Sequence, residues 1–321
     1  MAVTPGTPST QPRDLEMVGA TRIHRRRTGP SAEFWMLLPS LVVLAALSLY
    51  PFFYLIWMSL SSITLIGGIS TTFVGLQNWQ TLLGDGQIWG SWLTTLEYVS
   101  STLIIELVLG IGVALAITSL GAFRNLVLTL VILPMFMAPV VVGLLGLFLT
   151  NSTYGLYAYV LHQLGLFTNS DVLGQTSSAL PAVILMDVWE WTPLIVMIVA
   201  AGLSALPREP VEAANVDGAS AWQRLRYVVL PMIRPTILVA LLIRSMDAIR
   251  YYDIIWITTA GGPADSTKVI PIRLYETAFR FFNLGYAAAI GLSMLVVTIV
   301  LGKLFVGYMT KGDINVTRGA T

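Results

Sequence analysis

Six long apolar runs, separated by more polar segments, dominate the pattern of this sequence. Each run is long enough to cross the hydrocarbon core of a bilayer, which takes about 20 mostly apolar residues in a helix. They cover residues 35–60, 94–120, 125–149, 179–203, 236–259 and 285–309. The pattern predicts an all-α, polytopic membrane protein with six transmembrane helices. We expect a transmembrane domain over 34–309, between tails at 1–33 and 310–321.

Composition and charge distribution sharpen this picture. Of the 321 residues 55% are hydrophobic and only 11% are charged, whereas soluble domains carry roughly 25% charged residues. With the N-terminus in the cytoplasm, most Lys and Arg residues outside the spans fall on the cytoplasmic side, and only Lys268, Arg273 and Arg280 fall opposite. Because positive charge marks cytoplasmic segments, we expect both termini inside the cell and the chain in the plasma or inner membrane. The tail over 1–33, rich in Pro, Ser, Thr and Arg, is expected to be flexible.

Several kinds of chemistry have little to be built from in this chain. It contains no cysteine and only two histidines, His24 and His162, so thiolate and histidine metal sites and catalytic triads are poorly supported. The Gly302-Lys303 pair lacks the other residues of a phosphate-binding loop. We therefore expect no catalytic residue, metal or cofactor here, no bound nucleic acid, and any ATP to be held by another protein.

The segment 204–235, between the fourth and fifth spans, reads as a two-helix knuckle. Pro210 suits the first turn of a short helix, and Gly218 can adopt the left-handed conformation that ends it. Ser220 can cap a second helix, and Pro231 marks its end or a bend into the next span. Such a small-residue projection suits insertion into a cleft on a partner protein.

The same loop carries a family resemblance. Its residues Glu212-Ala213-Ala214, then Gly218, then Leu230-Pro231 resemble the EAA signature of importer permeases of the ATP-binding-cassette (ABC) class. Residues 73–79, FVGLQNW, are similar to the FVGLxNY element of subunits related to the larger maltose permease protein. Residues 247–253, DAIRYYD, with the Gly-Gly-Pro at 261–263, resemble the DAFRxFD and GGGP pattern of the carbohydrate uptake branch.

The resemblance implies a role for the loop and a set of partners. In that family the knuckle is a coupling helix seated in a groove of the ATPase subunit. The coupling residues it implies here are Glu212, Ala213, Ala214, Asp217 and Gly218. The implied assembly contains a second permease in a heterodimer, an ATPase dimer that binds ATP and Mg, and an extracytoplasmic solute-binding protein.

Charged and aromatic residues of the fourth and fifth spans suggest a solute path. Charges inside a bilayer are costly and usually face water or one another. Carboxylates accept hydrogen bonds from hydroxyl groups and aromatic rings cover apolar sugar faces, so these residues suit a polyhydroxylated, sugar-like solute. The candidates are Asp187, Glu190, Trp191, Asp247, Arg250, Tyr251 and Tyr252.

A structural interpretation of some of these charges stays open. Arg244, Asp247, Arg250 and Asp253 alternate in sign at a spacing of three, so each is a helix neighbour of the next and they can neutralise one another. In such a ladder Asp247 and Arg250 are the members best suited to a structural role. Prolines predict kinks in the third and fourth spans; they are Pro134, Pro139 and Pro193.

Two other function classes compete with the permease. An ion- or proton-coupled secondary transporter would use Glu106, Asp187 or Glu190 as proton carriers. A membrane enzyme would use Asp187 and Glu190, which are helix neighbours, for acid/base work, but no nucleophile or metal constellation accompanies them.

Overall fold

The computed structural model describes residues 32–64, 68, 70–118, 120–167 and 171–318, and this part of the chain is mostly helical. The predicted N-terminal tail lies, up to residue 31, outside the described residues. Within the described residues, those up to Pro51 form one compact unit and those from Phe52 onward form another. The helices are α1 (Ala32–Ser59), α2 (Gln77–Gly84), α3 (Gly86–Thr118), α4 (Arg124–Ile132), α5 (Pro139–Thr150), α6 (Leu156–Gln163), α7 (Ala179–Ser204), α8 (Glu209–Val216), α9 (Ala221–Arg224), α10 (Leu230–Ala248), α11 (Asp253–Thr258), α12 (Ile270–Tyr275) and α13 (Leu284–Arg318).

The predicted spans correspond closely to long helices. In the described part of the chain, five helices are long and apolar enough to cross a membrane, and a bent pair makes a sixth if it counts as one span. The span predicted at 179–203 is α7 almost to the residue, and that predicted at 94–120 begins earlier, in α3. Helix α13 continues to Arg318, so the predicted tail at 310–321 begins as helix.

The third span is broken just before Pro139, one of the two prolines that predict a kink there, whereas Pro134 lies inside a 3-10 turn that ends at Phe136. The segments Gly121–Phe136 and Pro139–Thr150 meet at 92°. Met137 and Ala138 are extended, and for Ala138 this is expected because the following Pro139 disfavours helical backbone. The predicted break is therefore confirmed here, whereas α7 runs through Pro193 as one continuous helix.

The boundaries predicted for the fifth span, 236–259, are wrong at both ends. Helix α9 continues through a π-helical turn, Leu225–Val229, into α10, so that one 28-residue helix runs over Ala221–Ala248. The chain then leaves the helix for four residues before α11 begins at Asp253. The apolar pattern continues across this break, so hydrophobicity alone could not reveal it. Pro231 lies inside the continuous helix and does not end it.

A small β-hairpin departs from the all-α prediction. Strands β1 (Ser61–Thr64) and β2 (Ser70–Phe73) pair antiparallel after α1. The following FVGLQNW element is anchored there, because the Asn78 side-chain amide donates to the carbonyls of Ser59 and Ser61 at 2.9 and 3.0 Å. The Trp79 indole donates to the Ser59 hydroxyl at 3.3 Å.

Helices α3, α7 and α10 form the core of the second unit. Their buried side chains form an apolar cluster that includes Ile117, Ile195 and Ile233. Small residues permit close helix packing, and an added Cβ at Gly110 of α3 would collide with Ile195 of α7. This tight packing brings polar residues of the three helices within reach of one another.

Candidate functional site

The loop over 204–235 forms the predicted knuckle. Helix α8 begins with Pro210 in its first turn and ends before Gly218, whose φ of +77° is the left-handed conformation predicted from sequence. The amide of Ala219 donates to the carbonyl of Ala214 at 3.0 Å and that of Gly218 to Asn215 at 3.1 Å. This pair of bonds is the Schellman closure of a helix, so the turn has a defined shape.

The second half of the knuckle is capped as predicted. The Gln223 amide donates to the Ser220 hydroxyl at 3.3 Å, and the Ser220 amide donates to the Gln223 side-chain carbonyl at 2.7 Å. The Arg224 guanidinium also donates to the Ala219 carbonyl at 2.7 Å. These bonds join the turn to the helix that continues as α10, so displacement of the knuckle would move that helix.

The predicted coupling residues lie on the surface of the knuckle. Glu212, Ala213, Asp217 and Gly218 are exposed, and Ala214 is half-buried. The carboxylates of Glu212 and Asp217 are accessible and make no ion pair within the described residues.

A cluster of buried charges inside the helix bundle joins α3, α7 and α10. Arg244 of α10 is fully buried together with Glu106 of α3 and Asp187 of α7. Its Nε and Nη2 donate to Glu106 at 2.9 to 3.0 Å. A second contact joins Nη2 to Asp187, and Nη1 lies 3.3 Å from Asp247.

The predicted ion ladder is confirmed in part, because Arg244 pairs with Asp247 and Asp247 pairs with Arg250. It is extended by the contacts of Arg244 with Glu106 and Asp187, which belong to other helices. Arg250 is 74% exposed and reaches Asp247 at 3.4 Å. Asp253 is not on α10 at all but in the first turn of α11, where a carboxylate is favoured by the helix dipole.

Most of the predicted path residues gather around Arg244. The guanidinium lies 5.3 Å from the ring centre of Trp191 and 5.8 Å from that of Tyr251. The Tyr251 hydroxyl donates to Glu190 at 2.8 Å. Tyr252 is separate from this group and stacks on Trp256 at 5.5 Å.

The predicted path residues differ in how exposed their side chains are. Asp187, Glu190 and Tyr251 are buried, Trp191 and Tyr252 are half-buried, Asp247 is 32% exposed and Arg250 is largely exposed. On this chain alone, the side chains of Asp247 and Arg250 are therefore accessible, whereas that of Asp187 is not.

Sequence reasoning missed the pairing of Glu106 with Arg244. The sequence suggests Glu106 as a proton carrier and Arg244 as one end of an ion ladder, but not that the two side chains pair. A usable signal existed, because an ionisable residue inside a membrane needs a partner of opposite charge. In the described residues no group of three or more His, Cys, Asp and Glu side chains is arranged to hold a metal ion.

Comparison with known proteins identifies the family. Residues 107–311 match the family described as "Binding-protein-dependent transport system inner membrane component". The chain is 33% identical to the trehalose transport system permease protein SugA of Mycobacterium tuberculosis, over 91% of this chain and 94% of that protein. It is 32% identical to the trehalose/maltose transport system permease protein MalF of Thermococcus litoralis, over 87% and 92% of the two chains.

A solved structure shares the fold. A chain in the crystal structure of a bacterial alginate ABC transporter, in complex with an alginate pentasaccharide-bound periplasmic protein, superposes with a TM-score of 0.73 and 24% identity, over 85% of this chain and 92% of that one. The curated relatives are permease subunits rather than enzymes or secondary transporters. This chain belongs to the binding-protein-dependent transport system inner membrane components and is an inner-membrane permease subunit of an ABC importer.

Proposed function

We propose that this permease imports a sugar, with a disaccharide such as trehalose as the first solute to test. The observation that supports this most directly is near-full-length similarity to permeases named for trehalose and maltose. The chemistry of the core agrees, because Asp247, Arg250 and the nearby aromatic residues suit hydroxyl groups and sugar faces.

The 204–235 loop is the proposed mechanical contact with an ATPase. We assign it, and both termini, to the cytoplasmic side from the distribution of Lys and Arg. Glu212, Ala213, Ala214, Asp217 and Gly218 would contact the ATPase groove. An open hollow of about 350 Å³ beside the turn, lined in part by Gly218 and Tyr227, offers further contact surface. Movement of the ATPase would pass through α9 into α10 as one continuous helix.

The solute path is proposed to run along the face that carries Asp247 and Arg250. A 74% exposed arginine next to a break in a membrane helix is costly against lipid. This face therefore borders a water-filled route or the second permease subunit. Asp187, Glu190, Trp191 and Tyr251 lie behind it, and Tyr252 lies at the break itself.

The rest of the assembly follows the same proposal. A second permease subunit, two ATPase subunits that hold ATP and Mg, and an extracytoplasmic solute-binding protein would complete the importer. In this proposal the chain itself carries no catalytic residue, metal or cofactor.

The test is transport by the purified assembly. The tagged chain is co-purified with its partners, reconstituted in liposomes, and assayed for uptake of radiolabelled trehalose and maltose. We expect uptake to need both ATP and the binding protein and to resist an uncoupler. Uptake that proceeds without nucleotide and collapses with the uncoupler would refute the proposal.

A charge reversal tests the coupling loop in the same liposomes. Because Glu212 is exposed and makes no ion pair within the described residues, Glu212→Arg should insert normally yet lose uptake while ATP is still hydrolysed. Glu212→Gln, which removes the charge without reversing it, is the matched control and should lose less. Normal uptake by Glu212→Arg would count against the assigned contact.

A further inference from the structure

The contacts of Arg244 point to a role beyond holding helices together. A guanidinium has five N–H donors in a rigid fork. Glu106 takes the Nε edge and one Nη2 donor, with three N···O distances between 2.9 and 3.0 Å. Such a two-sided contact determines the plane of the guanidinium as well as its position.

The remaining donors of Arg244 reach residues of the proposed solute path. Nη2 contacts Asp187, and Nη1 lies 3.3 Å from Oδ2 of Asp247. The other oxygen of Asp247, Oδ1, lies 3.4 Å from Nη2 of Arg250. A chain of polar contacts therefore runs from the dry interior, through Asp247, to an exposed arginine.

The aromatic residues of the path also depend on Arg244. The rings of Trp191 and Tyr251 lie within 6 Å of the guanidinium, a distance at which cation–π attraction orients the partners. Tyr251 in turn holds Glu190 through its hydroxyl.

We propose that Arg244, oriented by Glu106, is a positioning residue for the solute site. It fixes Asp247 for contact with solute and with Arg250, and sets the ring planes of Trp191 and Tyr251. Arg244 itself does not touch the solute, because it is fully buried. This inference rests on the proposed function, which places the sugar against those neighbours.

The test separates solute affinity from turnover. The whole assembly, with its binding protein, is arrested with vanadate, and the trehalose concentration that half-saturates it is measured alongside the ATPase rate of the cycling assembly. Arg244→Lys keeps one charge but lacks the planar fork. We expect the half-saturating concentration to rise roughly tenfold or more, as for loss of a charged hydrogen bond, with the ATPase rate within about twofold.

Two further variants keep the test independent of folding. Glu106→Gln retains the shape of its side chain but weakens the orienting contact, and should raise the half-saturating concentration in the same direction. Binding is counted per assembled complex, so a lower yield does not imitate the effect. The matched control is Arg124→Lys, which alters an arginine outside the cluster that donates to the Ser204 hydroxyl and should leave both readouts unchanged.

A double variant distinguishes positioning from separate structural effects. If Arg244 acts through Asp247, then Arg244→Lys combined with Asp247→Asn should weaken trehalose binding by less than the product of the single effects. If the double variant weakens trehalose binding by the full product of the two single effects, the inference is overturned. It is also overturned if Asp247→Asn raises the half-saturating concentration and Arg244→Lys leaves it unchanged. Unchanged binding in both single variants, or wild-type assembly that shows no ATP-dependent uptake, would refute the proposed site or function itself.

Discussion

The buried charge cluster and the 204–235 loop use charged residues in opposite ways. In the cluster, Glu106, Asp187 and Arg244 are fully buried and paired with one another. In the loop, Glu212 and Asp217 are exposed, and no ion pair in the described part of the chain includes them. The buried charges of the cluster are therefore neutralised by one another within the chain. The carboxylates on the loop remain accessible to a partner.

The two regions also gain their rigidity differently. The loop is held by bonds between neighbours in sequence, such as the capping box of Ser220 and Gln223. The cluster joins three helices through residues far apart in the chain. Disturbing the cluster should therefore affect stability, while disturbing the loop should affect coupling.

The largest loss should come from Arg244→Met. It leaves Glu106 and Asp187 buried without their cation, and breaking a buried ion pair in this way costs about 3–5 kcal/mol. We expect a lower yield and a clearly lower melting temperature of the purified protein. Adding Glu106→Gln and Asp187→Asn should recover part of the loss; a single variant as stable as wild type would mean that the cluster does not hold the helices.

A smaller loss, confined to transport, should follow Gly218→Val. The φ of +77° is strained for a β-branched residue, although space for a side chain is open. Uptake per assembled complex should fall about tenfold, with little change in melting temperature. Gly218→Asn is the matched control because asparagine tolerates this conformation. Equal uptake by both variants would show that the shape of the turn is unimportant.

Ser220→Ala should have a milder effect on the same loop. It removes the hydrogen bond from the Gln223 amide to the Ser220 hydroxyl, and the loss of such a helix cap costs about 1 kcal/mol. We expect faster amide hydrogen exchange at Gln223 and a modest decrease in uptake. Exchange at α7 should stay unchanged, and uniformly faster exchange throughout the protein would contradict a local effect.

The smallest effect should be a pH response at the loop after α11, where ion pairs are partly exposed. Partial burial acts to raise the pKa of Asp265, but hydrogen bonds from Lys268 and Arg273 outweigh it and lower the pKa below the usual carboxyl value. A lowered pKa means that the ionised group stabilises the loop fully above the ordinary carboxyl pKa, about 4, and that this is lost as the pH falls further.

Hydrogen exchange of the Thr267 amide, which donates to the Gly261 carbonyl, reports on that loop. After correction for intrinsic exchange, its protection should be constant from pH 7 to about 5 and should decrease below about 4. In Asp265→Asn the decrease should disappear. Protection that already declines between pH 7 and 5 would contradict the assigned group.

Local rules predicted the knuckle because its determinants lie within a few residues. Pro210, Gly218 and Ser220 each adopt the expected role in the structure. The same holds for the break in the third span, where Pro139 forces the preceding residue out of the helix. The resemblance in the loop also predicted the family.

The charge cluster could not be predicted in this way. Arg244 lies 138 residues from Glu106 and 57 from Asp187, and several intramembrane charges were possible partners. The sequence predicts the pairs of Asp247 with Arg244 and Arg250, but the break after Ala248 places Asp253 on a different helix, and Glu106 and Asp187 come from other helices.

By itself, the sequence determined the membrane class, the approximate position of most spans and the local form of the 204–235 loop, because hydrophobicity, helix caps and turns act over short stretches of chain. The tertiary structure decided where the fifth span ends, how the hairpin seats the FVGLQNW element, and which carboxylates share Arg244. Those features depend on which helices pack together, since a buried charge is stabilised only by the particular partners that packing brings to it.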